Sequence, residues 1–294
     1  MGKQRKADLW LLLIAFLWGF SYYFTDLALT ELQPCTLNAI RFLLAFVLLG
    51  AVFFKRLRHC NRTTLCYAIA LGLCLVGAYT GATYGLLYTS QTNAAFISCL
   101  EVIFTPIFSV LFLRRAPQKK LALCVLLCAL GLALLTLGKN FRVAKGDLIC
   151  LICSVSYAVD LLITEKAVAD SRTDPLALGV LQQGVTGLIM LILSFLLETP
   201  RLPTGGSVWL SVVFLGIFCT GLSFVIQSVQ QQYTSAMHCG LILTMEPVFA
   251  AIAAFFLAGE RLGLRNYFGA LLMLASLILM ELGGAEKKTN KGMK

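Results

Sequence analysis

Residues 89–113 read TSQTNAAFISCLEVIFTPIFSVLFL, and residues 234–258 read TSAMHCGLILTMEPVFAAIAAFFLA. The two align without a gap at an offset of 145, so that Thr89-Ser90 falls on Thr234-Ser235 and Glu101 on Glu246. Behind each Thr-Ser pair lies a run of 23 residues, 91–113 and 236–258, with a single acid as its eleventh member. A helix needs about 20 apolar residues to cross the hydrocarbon core of a bilayer. Both glutamates therefore fall near the midplane, and the repetition implies a larger unit present twice.

Working outward, ten stretches are long and apolar enough to span: 9–29, 34–54, 65–87, 91–113, 119–138, 147–167, 176–198, 207–229, 236–258 and 264–283. The connections are short. The early parts of the halves also correspond, with Pro34 on Pro175 and Arg41 on Gln182. Each half has five spans, an odd number, so the second copy must be inverted in the membrane. The expected fold is an all-α integral membrane protein of ten transmembrane helices in two inverted five-helix repeats, 9–138 and 147–283, followed by a basic tail at 284–294. Inverted repeats suit transporters that alternate access around a central site.

Composition agrees. Of the 294 residues, 59% are hydrophobic and 13% charged, against about 25% charged in soluble domains. The net charge of +10 would raise the question of nucleic acid in a soluble protein. Here Lys and Arg sit in the connections, where they anchor the chain and meet anionic membrane lipids, so nucleic acid is not an expected partner. With the N-terminus in the cytoplasm, 17 of the 24 basic residues fall on the cytoplasmic side and 6 on the outer side, Arg41 lying inside a span. Both termini are thus expected in the cytoplasm, with the protein multi-pass in the inner or plasma membrane. The basic start and Leu9–Phe20 resemble a signal peptide, but no small-residue cleavage site follows and more spans do.

Most of the eleven cysteines lie in apolar runs and read as small hydrophobes; two histidines are too few for an internal metal centre. No nucleophile–base spacing, phosphate loop or HExxH occurs. The expectation is no enzyme, no cofactor and no metal.

A charge at the centre of a membrane helix costs about 2.5–3.5 kcal/mol on the insertion scale, so the intramembrane charges mark the candidate site. Asn93-Ile97-Glu101 and His238-Ile242-Glu246 each form an i, i+4, i+8 stripe. Pro106 and Pro247 would free the carbonyls of Val102 and Leu243 and bend the helices there. The glutamates bind a cation or carry a proton, or they act as fixed hydrogen-bonding glue between helices. Arg41 either pairs with Asp26 or binds a substrate carboxylate. Tyr157, Asp160 and Thr164 share a face, with Trp18, Ser21 and Thr25 as repeat counterparts; with Tyr22 they form an aromatic and hydroxyl surface for a cavity, or else pack in the core. Tyr84, Tyr88, Gln227 and Gln230 are second-rank lining candidates, and Gln182 joins them as the counterpart of Arg41. Gly77, Gly81 and Gly85 form a close-packing face.

Trp18-Gly19, Pro34 to Arg41, Thr234-Ser235-Ala236, and above all Glu246-Pro247-Val248-Phe249-Ala250-Ala251 through Gly259-Glu260-Arg261 to Gly269 resemble the ten-helix EamA-domain proteins of the drug/metabolite transporter superfamily, over residues 9–283. The resemblance implies a secondary transporter, more often an exporter, of small metabolites such as amino acids, amines or nucleobases, with a cavity between the repeats and gradient-driven, proton-coupled transport as one option. Two departures stand out: Arg114-Arg115 occupies the place of Gly259-Glu260, and Glu101 occurs where an apolar or small residue is expected. The competing readings are a broad-range amphipathic drug efflux pump and a non-transporting membrane sensor or subunit. The expected partners are a small-molecule substrate and lipid, with a homodimer left open.

Overall fold

The computed structural model describes residues 2–89, 91–114, 118–136, 145–258 and 263–289, with the side chains of 91–93, 113, 136, 254, 257–258 and 281–289 outside the description. The described residues are helical, without strands. Eight helices are long and apolar enough to cross a membrane: Lys3–Leu29, Pro34–Val52, Arg62–Leu86, Ala94–Phe112, Lys145–Ala169, Pro175–Leu197, Gly206–Tyr233 and Ala236–Ala253. Lys119–Thr136 and Leu264–Thr289, apolar over Leu264–Met280, complete the ten spans, numbered here in chain order. The connections at 115–117, 137–144 and 259–262 lie outside the described residues, so Arg115, Gly259, Glu260 and Arg261 do too, as does the tail from 290.

The polarity of the molecule is that of a lipid-solvated protein. Phe256 is 75% exposed, Leu196 73% and Phe112 71%, whereas Asn38, Gln182, Gln183, Thr186 and Ser211 are buried. Apolar side chains face lipid and polar ones face the interior, where backbone and side-chain groups must find partners.

Packing follows the repeat. The second and seventh spans pack on one another, as do the fifth and tenth. Most of the remaining major pairs come in matched sets: third on sixth with eighth on first, third on seventh with eighth on second, and sixth on fourth with first on ninth; the eighth also packs on the seventh more extensively than the third does on the second. This is the contact map of two inverted five-helix units. Small residues set the close approaches. A Cβ at Gly81 would lie 2.6 Å from the Cys153 amide nitrogen, and one at Gly19 would lie 2.6 Å from Phe249 Cβ. Gly19 lets the first span seat on the ninth, and Gly77, Gly81 and Gly85 seat the third on the sixth.

The second and seventh spans both begin on proline, Pro34 and Pro175, where its missing N–H and fixed φ suit a helix start. Asp174 caps its own helix through the Leu176 and Ala177 amides. Because the number of spans is even, the described chain starts at residue 2 and stops at residue 289 on one face of the bundle, called here the termini face. On the opposite face Glu31 accepts from the Thr204 N–H at 2.8 Å and the Gly205 N–H at 3.2 Å, which lowers its carboxyl below the usual range.

The spans depart from straight α-helices at three places. The fourth is broken at Cys99-Leu100 and the ninth at Thr244-Met245, positions separated by the same offset of 145. The bend expected at Leu243 from Pro247 is present, the break following that residue directly, whereas the one expected at Val102 from Pro106 is corrected, since the break lies before it at Cys99-Leu100. Pro106 sits inside the helix Glu101–Leu113, and Pro247 is the second residue of Glu246–Ala258, where it starts a helix. The third departure is a π-helical segment, Leu215–Leu222, in the eighth span.

Candidate functional site

The two breaks turn Glu101 and Glu246 into first-turn residues of buried half-helices. The chain stays hydrogen-bonded through each break, the Val102 N–H donating to the Cys99 carbonyl and the Val248 N–H to the Met245 carbonyl, so both are kinks within a span. Around the two glutamates opens a cavity. Its walls include Trp18, Ser21, Tyr22 and Thr25 of the first span, Arg41 of the second, Tyr79, Ala82, Thr83 and Leu86 of the third, Ser98, Cys99 and Glu101 of the fourth, Cys153 and Tyr157 of the sixth, and Glu246 of the ninth.

These positions fix where the cavity lies. The first and third spans rise from the termini face and contribute their later residues, and the second, fourth and sixth descend from the opposite face and contribute early ones. The cavity therefore occupies the half of the membrane toward the face opposite the termini, with the glutamates at its floor. Below the floor the protein is closed. Asp8 Oδ1 lies 3.1 Å from His238 Nε2, Glu165 accepts the Ala236 N–H at 2.7 Å, and the Gln231 amide donates to the Leu161 carbonyl at 2.6 Å.

Arg41 is 3% exposed. Its Nε donates to the Thr220 hydroxyl at 2.8 Å, and its guanidinium lies 4.9 Å from the Tyr79 ring centroid. Among the described residues its terminal nitrogens make no hydrogen bond and Arg41 makes no ion pair, while Asp26 is exposed. The Asp26–Arg41 pair is thus not formed, and a buried fork of donors faces the cavity. The π-helical segment serves this arrangement: it supplies Thr220 to Arg41 and the Cys219 carbonyl to the Trp18 indole N–H at 2.8 Å. Such segments are frequent at functional sites. Trp18 packs edge-on to Tyr157, with centroids 5.6 Å apart, and the Tyr157 hydroxyl donates to Gln227 Oε1 at 2.8 Å. Tyr22 lies beside the Glu246 carboxyl.

Of the residues singled out in the sequence, Trp18, Tyr22, Arg41, Glu101, Tyr157 and Glu246 come together in this cavity. Others stand elsewhere. His238 belongs to the closure beneath the floor, and Tyr84 holds Glu198 at the opposite-face end of the third span. Asp160, Gln182 and Gln227 are buried below or beside the cavity. Asn93 lies outside the described side chains, and the helix break interrupts both i, i+4, i+8 stripes. Sequence reasoning missed Tyr79, Ser98, Cys99 and Cys153. The cysteines read as apolar filler, and Tyr79 carried no repeat signal because Phe224 is its counterpart at the offset of 145.

A buried, charge-bearing cavity between two inverted repeats of membrane helices defines a multi-pass membrane transporter architecture. The model of the EamA-like transporter family matches residues 5–137 and 144–282, and the chain belongs to that family. It is 28% identical over 280 residues to an uncharacterized transporter of Archaeoglobus fulgidus, covering 95% of this chain and 87% of the relative. It is 27% identical over 299 residues to the uncharacterized inner membrane transporter YicL of Salmonella typhimurium, covering 96% and 97%. A solved crystal structure at 17% identity shares the fold, with a TM-score of 0.79 over 95% of this chain and 97% of its own.

Proposed function

We propose that this transporter moves a small organic solute carrying both an acidic and a basic group, an amino acid being the simplest example, by alternating access through the cavity between its repeats. The observation that carries the reading is the charge set of that cavity: the free end of the Arg41 guanidinium together with the Glu101 and Glu246 carboxyls. Arg41 suits a carboxylate through paired N–H donors, and the glutamates suit an ammonium group or a proton. Trp18, Tyr22, Tyr79 and Tyr157 supply faces on which an aliphatic or planar side chain rests. The basic residues put the termini in the cytoplasm, so the cavity faces outward in the state described. Export, with a proton returned on the glutamates, is the direction proposed.

The aromatic wall also favours a second reading, a broad-range pump for amphipathic drugs, in which the rings matter more than the acids. The test is flux by purified protein in liposomes between about pH 5 and 8. Proton coupling predicts that Glu101→Gln and Glu246→Gln abolish the pH dependence. Folded variants that transport with an unaltered pH profile refute it.

A further inference from the structure

The repeat relates more than the two glutamates. In the first and sixth spans a constant offset of 139 pairs Trp18 with Tyr157, Ser21 with Asp160, Thr25 with Thr164 and Asp26 with Glu165. In the third and eighth, the offset of 145 pairs Ala82 with Gln227 and Leu86 with Gln231. The first member of each pair, Asp26 aside, lines the cavity. Their partners beyond Tyr157 are packed shut beneath its floor: Asp160, Thr164 and Gln231 are each 1% exposed, and Gln227 2%.

Repeat-related positions are thus open in one half and packed in the other. The sixth span packs on the first part of the ninth, and Glu165 holds the Ala236 N–H. The equivalent first and fourth spans form no such packed pair among the described residues, and Asp26 is exposed. The closed half also retains oxygens that its packing does not satisfy. Asp160 Oδ1, Gln182 Oε1 and Gln231 Oε1 are buried without a hydrogen-bond partner, a costly condition that a ligand or water in an opened cavity would relieve.

We propose that a second, cation-selective binding cavity opens on the face carrying the termini, with Asp160 as its recognition carboxylate and Gln182, Gln227 and Gln231 as its polar lining, for an ammonium group. The inference rests on the alternating-access reading. The two cavities share Trp18, Tyr157, Glu101 and Glu246 but differ in charge. Exchanging the repeats puts Gln182 in the place of Arg41, which removes a positive charge, and Asp160 in the place of Ser21, which adds a negative one. The cavity open in this structure holds a carboxylate and an amine together; its counterpart holds the amine alone. An exported solute is therefore held from the termini face by its ammonium group, and its carboxylate meets Arg41 once the cavity on the opposite face forms.

The experiment uses vesicles of known orientation and two membrane-impermeant methanethiosulfonates, one cationic and one anionic. Labelling of Thr25→Cys and Thr164→Cys is read by the mass of the modified peptide, which separates it from the native cysteines. Thr25→Cys is expected to react only from the face opposite the termini, and Thr164→Cys only from the termini face. At Thr164→Cys the cationic reagent reacts faster, and the cation-to-anion rate ratio falls at least tenfold when Asp160→Asn is added. Asp160→Ser, which restores the first repeat's residue, substitutes if the asparagine variant folds poorly. Asp8→Asn, which weakens the closure at His238, guards against a protein resting in one state. A Thr164 cysteine inert from the termini face even with Asp8→Asn overturns the proposal, as does a charge ratio indifferent to both Asp160 variants. Labelling as expected without flux would sink the transport reading and leave the cavity; flux with an inert Thr164 cysteine would do the reverse.

Discussion

Glu198→Ala tests how the opposite-face end of the bundle is held. Glu198 stands just beyond the seventh span, and its carboxylate accepts from four donors: the Cys35 N–H at 2.7 Å, the Thr36 N–H at 2.8 Å, the Thr36 hydroxyl at 2.8 Å and the Tyr84 hydroxyl at 2.7 Å. Cys35 and Thr36 lie in the first turn of the second span, whose own N-cap residue, Gln33, makes no capping bond. One carboxylate therefore caps a helix of the first repeat from the second repeat and pins the third span beside it. Losing a cap costs about 0.5–2 kcal/mol, and a hydrogen bond to a charged group is worth about 1.5–3 kcal/mol. Water replaces part of this at a half-buried position, leaving a net loss of about 3 kcal/mol. At about 2–4 °C per kcal/mol, the thermal midpoint in detergent should fall by about 6–12 °C.

The pH dependence has a definite sign. Burial raises the Glu198 carboxyl, but the hydrogen bonds from Tyr84, Cys35 and Thr36 outweigh it and leave it lowered from its ordinary value of 4.5. The stabilisation is accordingly complete above that ordinary value and is lost as pH falls through the lowered one. The wild-type advantage over Glu198→Ala should shrink on acidification below about pH 4. A variant that melts within about 1 °C of wild type at neutral pH, or an advantage that grows in acid, would refute the capping argument.

Gly81→Ala should lower the melting midpoint by an amount equivalent to about 1–3 kcal/mol, because the added Cβ meets the Cys153 backbone nitrogen rather than a movable side chain. Arg41→Lys keeps the charge but loses the Thr220 bond and the planar fork. It should raise KM for a carboxylate-bearing solute about tenfold or more, with the melting midpoint reading any structural loss separately. Trp18→Phe removes the indole bond to the Cys219 carbonyl beside the π-helical segment and should cost about 1 kcal/mol while slowing transport, measured by melting and initial rates.

The frame of this fold was legible because the bilayer imposes a length on every span and the repeat imposes a register on the halves. Glu101 and Glu246 were found at the midplane from counting alone, and Arg41, Trp18, Tyr22 and Tyr157 from polarity or repeat position. The helix breaks were not legible in the same way. Thr244-Met245 follows the Leu243 carbonyl that Pro247 frees, but Cys99-Leu100 has no proline or glycine within four residues, so local propensity gives no sign of it. The fate of Asp160, Gln182 and Gln227 was hidden for another reason. A transporter's sequence encodes the walls of every state it visits, and residues lining one state are packed shut in another.

Carriage of a solute by the paired charges of the cavity is tested by counterflow in proteoliposomes preloaded with a panel of amino acids, amines and nucleobases. Solutes bearing a carboxylate and an amine should show saturable exchange, and Arg41→Gln should abolish it while the thermal midpoint stays near that of wild type. Exchange of such solutes undiminished by Arg41→Gln, or a folded protein that exchanges nothing on the panel above empty liposomes, would contradict it.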